Sequence, residues 1–440
     1  MIGVTHMVKQ NVASEMDGYL QRLFPLMRSI AGTDNLKTLE ILSEIVPIDI
    51  RKVPSGTRVF DWTVPPEWDV KRAYIEDAAG KKHLDLKENN LHIVNFSVPI
   101  DAVLTLEEIQ DHLHLHPTIA TAIPYRTTYY ERTWGFCLNV AELKSLKAAP
   151  GPFHVVIESD IRDGDLVYGE CLIPGQSSRE FLISTYICHP SMANDNLSGM
   201  ILTAFLARYL SQRSATSDWS YRVVFVPETI GALAYCSINE DQMQRIDMGF
   251  VVTTTGGPGP LSMKQSWNAS HELSQITESV IKRLDSKSQV VPFDVHGSDE
   301  RQYSSPAFRI NTVTIGRDLY YRYPEYHSSL DNLDFVTGAN MELTLDAYTE
   351  VINRIEDLRF FQRTDGRGEP MLSRQNLYSK LGGGLLPRAG DITLDQILWV
   401  LFLSDGKTSL QAISDKTGFD RILLERTSEQ LCALELLREV

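Results

Sequence analysis

Four short segments of this 440-residue chain hold the side chains best suited to chemistry. The first runs His189-Pro-Ser-Met-Ala-Asn-Asp195-Asn-Leu-Ser-Gly199. An imidazole and a carboxylate are suitable zinc ligands. The second is Val226-Pro-Glu228-Thr-Ile-Gly231. A carboxylate there can act as general base on a metal-bound water. The third is Tyr326-His327-Ser-Ser-Leu-Asp331-Asn332, which follows Tyr320-Tyr321-Arg322-Tyr323. It offers a second imidazole, whose other nitrogen a nearby carboxylate could orient. The fourth, Gly297-Ser298-Asp299-Glu300-Arg301, sets two adjacent acids before a base. It either supplies hydrogen bonds behind such a site or is an ordinary polar loop. Each of the other three also has a plainer reading taken alone: Asp195 as a helix cap beside a turn histidine, Glu228 as a solvated loop residue, and His327 as a surface histidine among tyrosines.

The elements around these segments tie them together. From about residue 151 apolar strands alternate with amphipathic helices. The strands are Phe181–Ile187, Tyr221–Val226, Met248–Thr254 and Asn311–Ile315. The helices are Leu197–Arg213, Ala232–Ile246, His271–Leu284 and Asn340–Phe360. That alternation implies an α/β fold, a largely parallel sheet covered by helices on both faces. Ligands of open α/β sheets bind beyond the carboxyl ends of the strands. His189, Asp195, Glu228 and His327 all fall next to such strand ends or in connecting loops, which random scatter would rarely produce.

The remaining chain has a different texture. Helical spacing over 14–31 predicts a helix capped by Ser14, with Pro25 as a kink. Residues 50–145 read as mostly β, with runs at Arg58–Val64 and His92–Val98 and a further run, Val155–Glu158, just beyond. Gly382-Gly383-Gly384 and Pro387 read as a linker. Three short helices follow, at about 393–403, 409–416 and 420–434, with Thr393, Ser409 and Asp420 as N-caps. Three helices at this spacing resemble a winged helix-turn-helix module.

Composition sets limits. Hydrophobic residues make up 43% and charged residues 22%, the balance of a globular protein. A net charge of −15 argues against non-specific binding to nucleic acid or anionic membrane, since both need a positive field. The five cysteines are scattered without C-x-x-C spacing, which fits a reducing compartment. Met1–Lys9 shows no basic stretch leading into an apolar run, and Ile397–Leu403 is too short to span a bilayer. A cytoplasmic protein is therefore expected, with no membrane partner. Residues Arg388–Val440 carry six basic and nine acidic side chains, a net of −3. Duplex-reading faces are normally basic. The module is thus expected to serve packing or homo-oligomer formation rather than nucleic-acid binding.

Taken in order, H-P-x-x-A-N-D-N-L-S-G, P-E-T-I-G, S-D-E-R and Y-H-S-S-x-D resemble the zinc aminopeptidase superfamily of bacterial leucyl aminopeptidases and glutaminyl cyclases. The closer resemblance is to bacterial aminopeptidase-like proteins with a β-rich insertion and a C-terminal winged helix. It covers nearly the whole chain. It implies an aminopeptidase-like metal-binding core from 1–50 and 150–375, a β-rich insertion at 51–149 and a winged-helix module at 386–440.

The same resemblance makes His189 and His327 metal ligands and Asp195 a ligand able to bridge two metals. It makes Glu228 the general base and Asp299 an acidic residue supporting the chemistry. From their nearness to these motifs, Glu300, Arg301 and Tyr323 are expected to contact substrate. Two positions depart from the pattern. Two-zinc members carry a second glutamate where this chain has Thr229, and an aspartate ligand where it reads Val252-Thr253-Thr254-Thr255-Gly256. Threonine is a poor zinc ligand, so one zinc is expected and a second is doubtful. The function implied is hydrolysis of a small peptide or amide. Acyl transfer or cyclisation on the same scaffold, or a binding protein without catalysis, stay open as alternatives.

Overall fold

The computed structural model describes residues 2–377 and 392–440. The expected Gly382–Gly384 linker lies outside them. The chain divides into two compact units, Met1–Val351 and Ile352–Val440.

An eight-stranded mixed sheet forms the centre of the first unit. Its four middle strands are Ser220–Val226, Glu180–Tyr186, Met248–Val251 and Asn311–Gly316, in that spatial order and all parallel. Antiparallel pairings flank them, to Asp165–Ile173 on one side and to Ser262–Lys264 on the other. The middle strands are almost wholly buried, which is why they read as continuous apolar runs. Being parallel, they deliver their carboxyl ends to one edge.

Boundaries moved where local chemistry overrode periodicity. The first helix spans Ile2–Leu23 and stops before Pro25, because a proline drives the residue preceding it out of the helical region. Ile30 still reaches the core, from non-helical chain, and a second helix follows at Thr33–Leu42. The helix expected at Ala232–Ile246 is two pieces, Ile230–Ile238 and Glu240–Met243, broken at Asn239. The strand expected at Met248–Thr254 ends at Val251, which leaves the threonines after it free to turn toward the strand-end edge.

Residues 58–63 form a small hairpin, and 92–98 are a turn with isolated bridges rather than a strand. The sheet of this region is antiparallel and four-stranded, ordered Lys82–His83, Glu67–Glu76, Phe153–Arg162, Ile100–Leu104. Its inner face packs onto the large sheet. Trp68, Phe96, Phe136 and Ile157 share one apolar cluster with Leu182, Tyr186 and Ile230. Burying one such large side chain contributes roughly 1.5–3 kcal/mol, so this seam is a continuous core.

The second unit holds three helices, Leu394–Leu403, Leu410–Thr417 and Arg421–Ala433, and a three-stranded sheet. The side chains of Thr393, Ser409 and Asp420 cap the helices as expected, by accepting backbone N–H bonds. Phe360–Arg363 is the middle strand, between Asp405–Ser409 and Leu437–Glu439. Leu401, Ile413, Leu424 and Leu431 form its core.

Candidate metal centre

Each side chain of the centre sits just past a parallel strand. His189 lies three residues beyond Glu180–Tyr186, Glu228 two beyond Ser220–Val226, and His327 in the long loop after Asn311–Gly316. Asp195 belongs to an irregular helical turn, Ala193–Ser198, that leads into the helix Gly199–Ser211.

The asparagines on either side of Asp195 fasten that turn. Asn194 Oδ1 accepts the N–H groups of Gly256 at 2.9 Å and Gly257 at 3.1 Å. Asn196 Nδ2 donates to Thr185 Oγ1 and to the Tyr186 carbonyl, both at 2.9 Å. The N–H groups of Asn194 and Asp195 donate to the two oxygens of Asp331 at 2.6 and 2.9 Å. Gly199 closes the motif because a Cβ there would collide with Asn196 Oδ1 and come within 2.7 Å of the Val252 carbonyl. The N-D-N-x-S-G pattern is thus a clamp that aims the fully buried Asp195 at the strand ends.

Asp195 meets both imidazoles. Its Oδ2 lies 2.8 Å from His327 Nε2, and its Oδ1 lies 3.4 Å from His189 Nδ1. The two rings face each other edge-on, with centroids 5.4 Å apart. His189 Nε2 is 3.3 Å from Glu228 Oε2. His189, Asp195 and His327 each offer one ligand atom within 4.8 Å of the others, and Cys188, His189 and Glu228 do the same. Asp195 Oδ2 and His327 Nε2 are both buried and both lack a hydrogen-bond partner, despite their short separation. Buried polar atoms normally find partners. The two form an ion pair poorly aligned for a hydrogen bond, an arrangement that lets both turn to a shared third position, as ligand atoms do. The donor set of two imidazoles and one carboxylate suits zinc.

The electrostatics agree. Burial opposes charge on His189, but the adjacent Asp195 carboxylate outweighs it and holds the imidazole pKa well above its ordinary value. Burial likewise opposes charge on Asp195, and the two imidazoles overcome it to pull the carboxyl far below the usual range. The Asp195 carboxylate and the His189 imidazole thus stabilise each other's charged forms. Asp299, fully buried, behaves oppositely. Burial and the negative Glu228 raise its pKa well above normal, although the Thr229 N–H donates to its Oδ1 at 2.7 Å. Its Oδ2 has no partner. Burial also pushes Asp331 up to about 8, even though two N–H groups favour its charge. Asp331 thus holds the Asp195 turn and does not orient the far nitrogen of His327 with its hydrogen-bonded oxygens.

The structure gathers His189, Asp195, Glu228 and His327, with Asp299 behind Thr229. Glu300 and Arg301 bond to other groups, and Tyr323 lies near the centre, where burial and the Asp331 and Asp195 carboxylates raise its hydroxyl pKa. Glu300 is buried, accepting from Thr314 Oγ1 and Tyr320 OH at 2.8 Å and from Ser298 N at 2.9 Å. Arg301 is exposed and donates to the Val295 carbonyl at 3.3 Å. Tyr323 is buried against Phe335 and Tyr326. Thr229, Thr254 and His327 all adopt positive φ, at 62°, 51° and 53°. Non-glycine residues rarely do so, and such strain gathers at functional sites.

Three neighbours were not evident from sequence. Tyr125 sets its ring edge-on against both His189, at 5.2 Å, and His327, at 5.5 Å. Tyr186 OH donates to Asp195 Oδ1 and contacts Thr253 Oγ1 at 2.6 Å. Arg28, wholly buried, donates to the His189 carbonyl at 2.9 Å. The only available signal was the position of Tyr186 on a buried strand that ends at the site.

Residues 18–357 match the family described as a domain of unknown function, DUF4910. The chain belongs to that family. Residues 359–439 of this DUF4910 chain match a winged helix-turn-helix model. A Clostridium acetobutylicum protein is 39% identical over 97% of this chain and 96% of its own length. Its name assigns it provisionally to polysaccharide biosynthesis, with an aminopeptidase-like domain. A crystal structure from the same organism, provisionally titled a peptidase, superposes with a TM-score of 0.79 at 37% identity and covers 100% of both chains. BSAP, a zinc aminopeptidase from Bacillus subtilis, gives a TM-score of 0.54 at 11% identity, over 78% of this chain and 94% of its own. That last likeness is one of fold, and the core of this DUF4910 chain is aminopeptidase-like. Among the described residues no helix is long and apolar enough to cross a membrane.

Proposed function

We propose that this protein is a zinc-dependent hydrolase of a small peptide or amide, with His189, Asp195 and His327 as the metal ligands. The observation that carries the reading is the unbonded approach of Asp195 Oδ2 to His327 Nε2 at 2.8 Å, beside a third ligand. A zinc ion bound there would polarise a carbonyl and acidify water. Glu228 serves as general base. Its side chain is 25% exposed and lies beside His189, so it can take a proton from water and pass it to a leaving amine. Asp299 holds the Thr229 N–H and so sets the turn that presents Glu228. Tyr125 walls the imidazoles on the insertion side.

The test pairs elemental analysis of the purified protein with a screen of aminoacyl anilides and dipeptides. Bound zinc, lost in His327→Ala together with cleavage, supports the reading. Zinc retained at full stoichiometry in that variant refutes His327 as a ligand.

The name of the Clostridium relative favours a second reading, in which the amide is carried on a sugar. Exposed aromatic residues of the insertion, Trp62 and Tyr130, pack 5.9 Å apart and offer a surface for a sugar ring. Release of acetate from N-acetylated amino sugars, without anilide cleavage, would select it.

A further inference from the structure

We infer, resting on the metal-centre reading above, that the Tyr186 hydroxyl stands where a second cation would bind Asp195, and so limits the centre to one. The two oxygens of Asp195 have different surroundings. Oδ2 faces His327 Nε2 and has no hydrogen-bond partner. Oδ1 accepts the hydroxyl of Tyr186. To bridge two cations through both oxygens, Asp195 must turn a lone pair of each toward metal, and the Tyr186 hydroxyl occupies that approach on Oδ1.

Tyr186 is held on that oxygen from behind. It is the last residue of the strand Glu180–Tyr186, fully enclosed, with its ring 5.1 Å from that of His189. Its hydroxyl also contacts Thr253 Oγ1 at 2.6 Å. Thr253 lies two residues past the neighbouring parallel strand, Met248–Val251, and is itself buried. It is therefore a strand-end residue aimed at the same carboxylate. A carboxylate at this position would meet Asp195 across a cation, whereas the threonine meets it across a tyrosine hydroxyl. One neutral O–H dipole stands where a dication would otherwise bind.

Zinc stoichiometry tests this. The wild-type protein, dialysed against excess zinc, is expected to hold one equivalent by elemental analysis. The double variant Tyr186→Phe/Thr253→Asp is expected to hold two, with an unchanged far-ultraviolet spectrum. Should that variant fail to fold, anomalous scattering at the zinc edge from wild-type crystals soaked in zinc decides the matter. One peak, beside Asp195 Oδ2 and His327, supports the inference. A second wild-type peak on Asp195 Oδ1, or two equivalents in solution that both vanish in His327→Ala, overturns it while leaving the metal centre standing. A folded double variant that still holds one equivalent also overturns it. No zinc at all in the wild type would remove the metal centre itself and this inference with it.

Discussion

The Tyr125 N–H donates to the His327 carbonyl at 2.8 Å, so the β-rich insertion grips the backbone of the residue proposed as a metal ligand. The grip continues on both sides. Pro124 and Ser328 form a bridge, and the Ile123 N–H donates to Ser329 Oγ at 3.0 Å. Residues 123–125 are therefore part of the centre's scaffold.

Loss of the Tyr125 ring should loosen His327. Groups that orient metal ligands typically contribute about 10–100-fold in metal affinity. Tyr125→Ala is expected to weaken zinc binding by about that factor. Tyr125→Phe removes only the hydroxyl contact to Tyr129 at 2.9 Å and should stay near wild type. Competition with a chromogenic chelator measures both, and equal affinity in all three proteins would count against a role for the Tyr125 ring.

Glu228 should separate binding from chemistry. Glu228→Gln keeps the size of the side chain but not its basicity, and a lost general base costs about 10²–10⁴-fold in rate. Zinc content should persist while kcat falls by about that factor. Loss of the metal instead would make Glu228 a ligand.

Asp299 predicts a pH dependence of stability. Its carboxyl holds a proton more tightly in the fold than in the unfolded chain. That contribution is complete below the free-aspartate value near pH 4 and is lost as pH climbs toward the raised folded value. Asp299→Asn still accepts from the Thr229 N–H and cannot ionise. Its Tm should fall less than that of wild type between about pH 5 and pH 8. Parallel curves for the two proteins would show that Asp299 carries no such linkage.

Arg28 ties the N-terminal loop to the centre. It donates to the carbonyls of His189 at 2.9 Å and Leu23 at 2.7 Å, and burial lowers its pKa to about 10. Arg28→Met strands both carbonyls, each bond to a charged donor contributing about 1.5–3 kcal/mol. Urea denaturation should show a loss of about 3 kcal/mol or more, and a change under 1 kcal/mol (about the net value of a single neutral bond) would be too small for the role.

The winged helix should not bind duplex DNA tightly. Arg421 is paired with Glu425 at 3.0 Å, and Arg359 with Glu429 at 3.2 Å and Glu439 at 2.7 Å. Across Arg388–Val440 the nine acidic side chains outnumber the six basic ones, so the field is unfavourable to phosphates. Any affinity at physiological salt is expected to be no tighter than the non-specific range, roughly 10⁻⁴–10⁻⁶ M. A nanomolar mobility shift would contradict this.

Features set by near neighbours in the chain were legible without coordinates. The middle strands are apolar because both faces are covered, and the capping residues Thr393, Ser409 and Asp420 act within three positions of themselves. The strand Glu67–Glu76 was hidden because Glu67, Asp69, Lys71, Arg72 and Glu76 break up its apolar residues and a bulge between Val70 and Arg72 interrupts the alternation. The helix Thr33–Leu42 was hidden behind Pro25 and Gly32, which end one pattern before the next is long enough to see.

From its sequence alone, this protein's α/β class, its strand-end histidines and carboxylates and its winged helix could be named, because periodicity and capping are local. Only the tertiary structure decided which oxygen of Asp195 is free, that Tyr186, backed by Thr253, bonds to the other, and that Tyr125 closes over both imidazoles. The contacts of Tyr186 with Thr253 and of Tyr125 with the two imidazoles join residues 64 to 202 positions apart, and no local pattern records a distance through space.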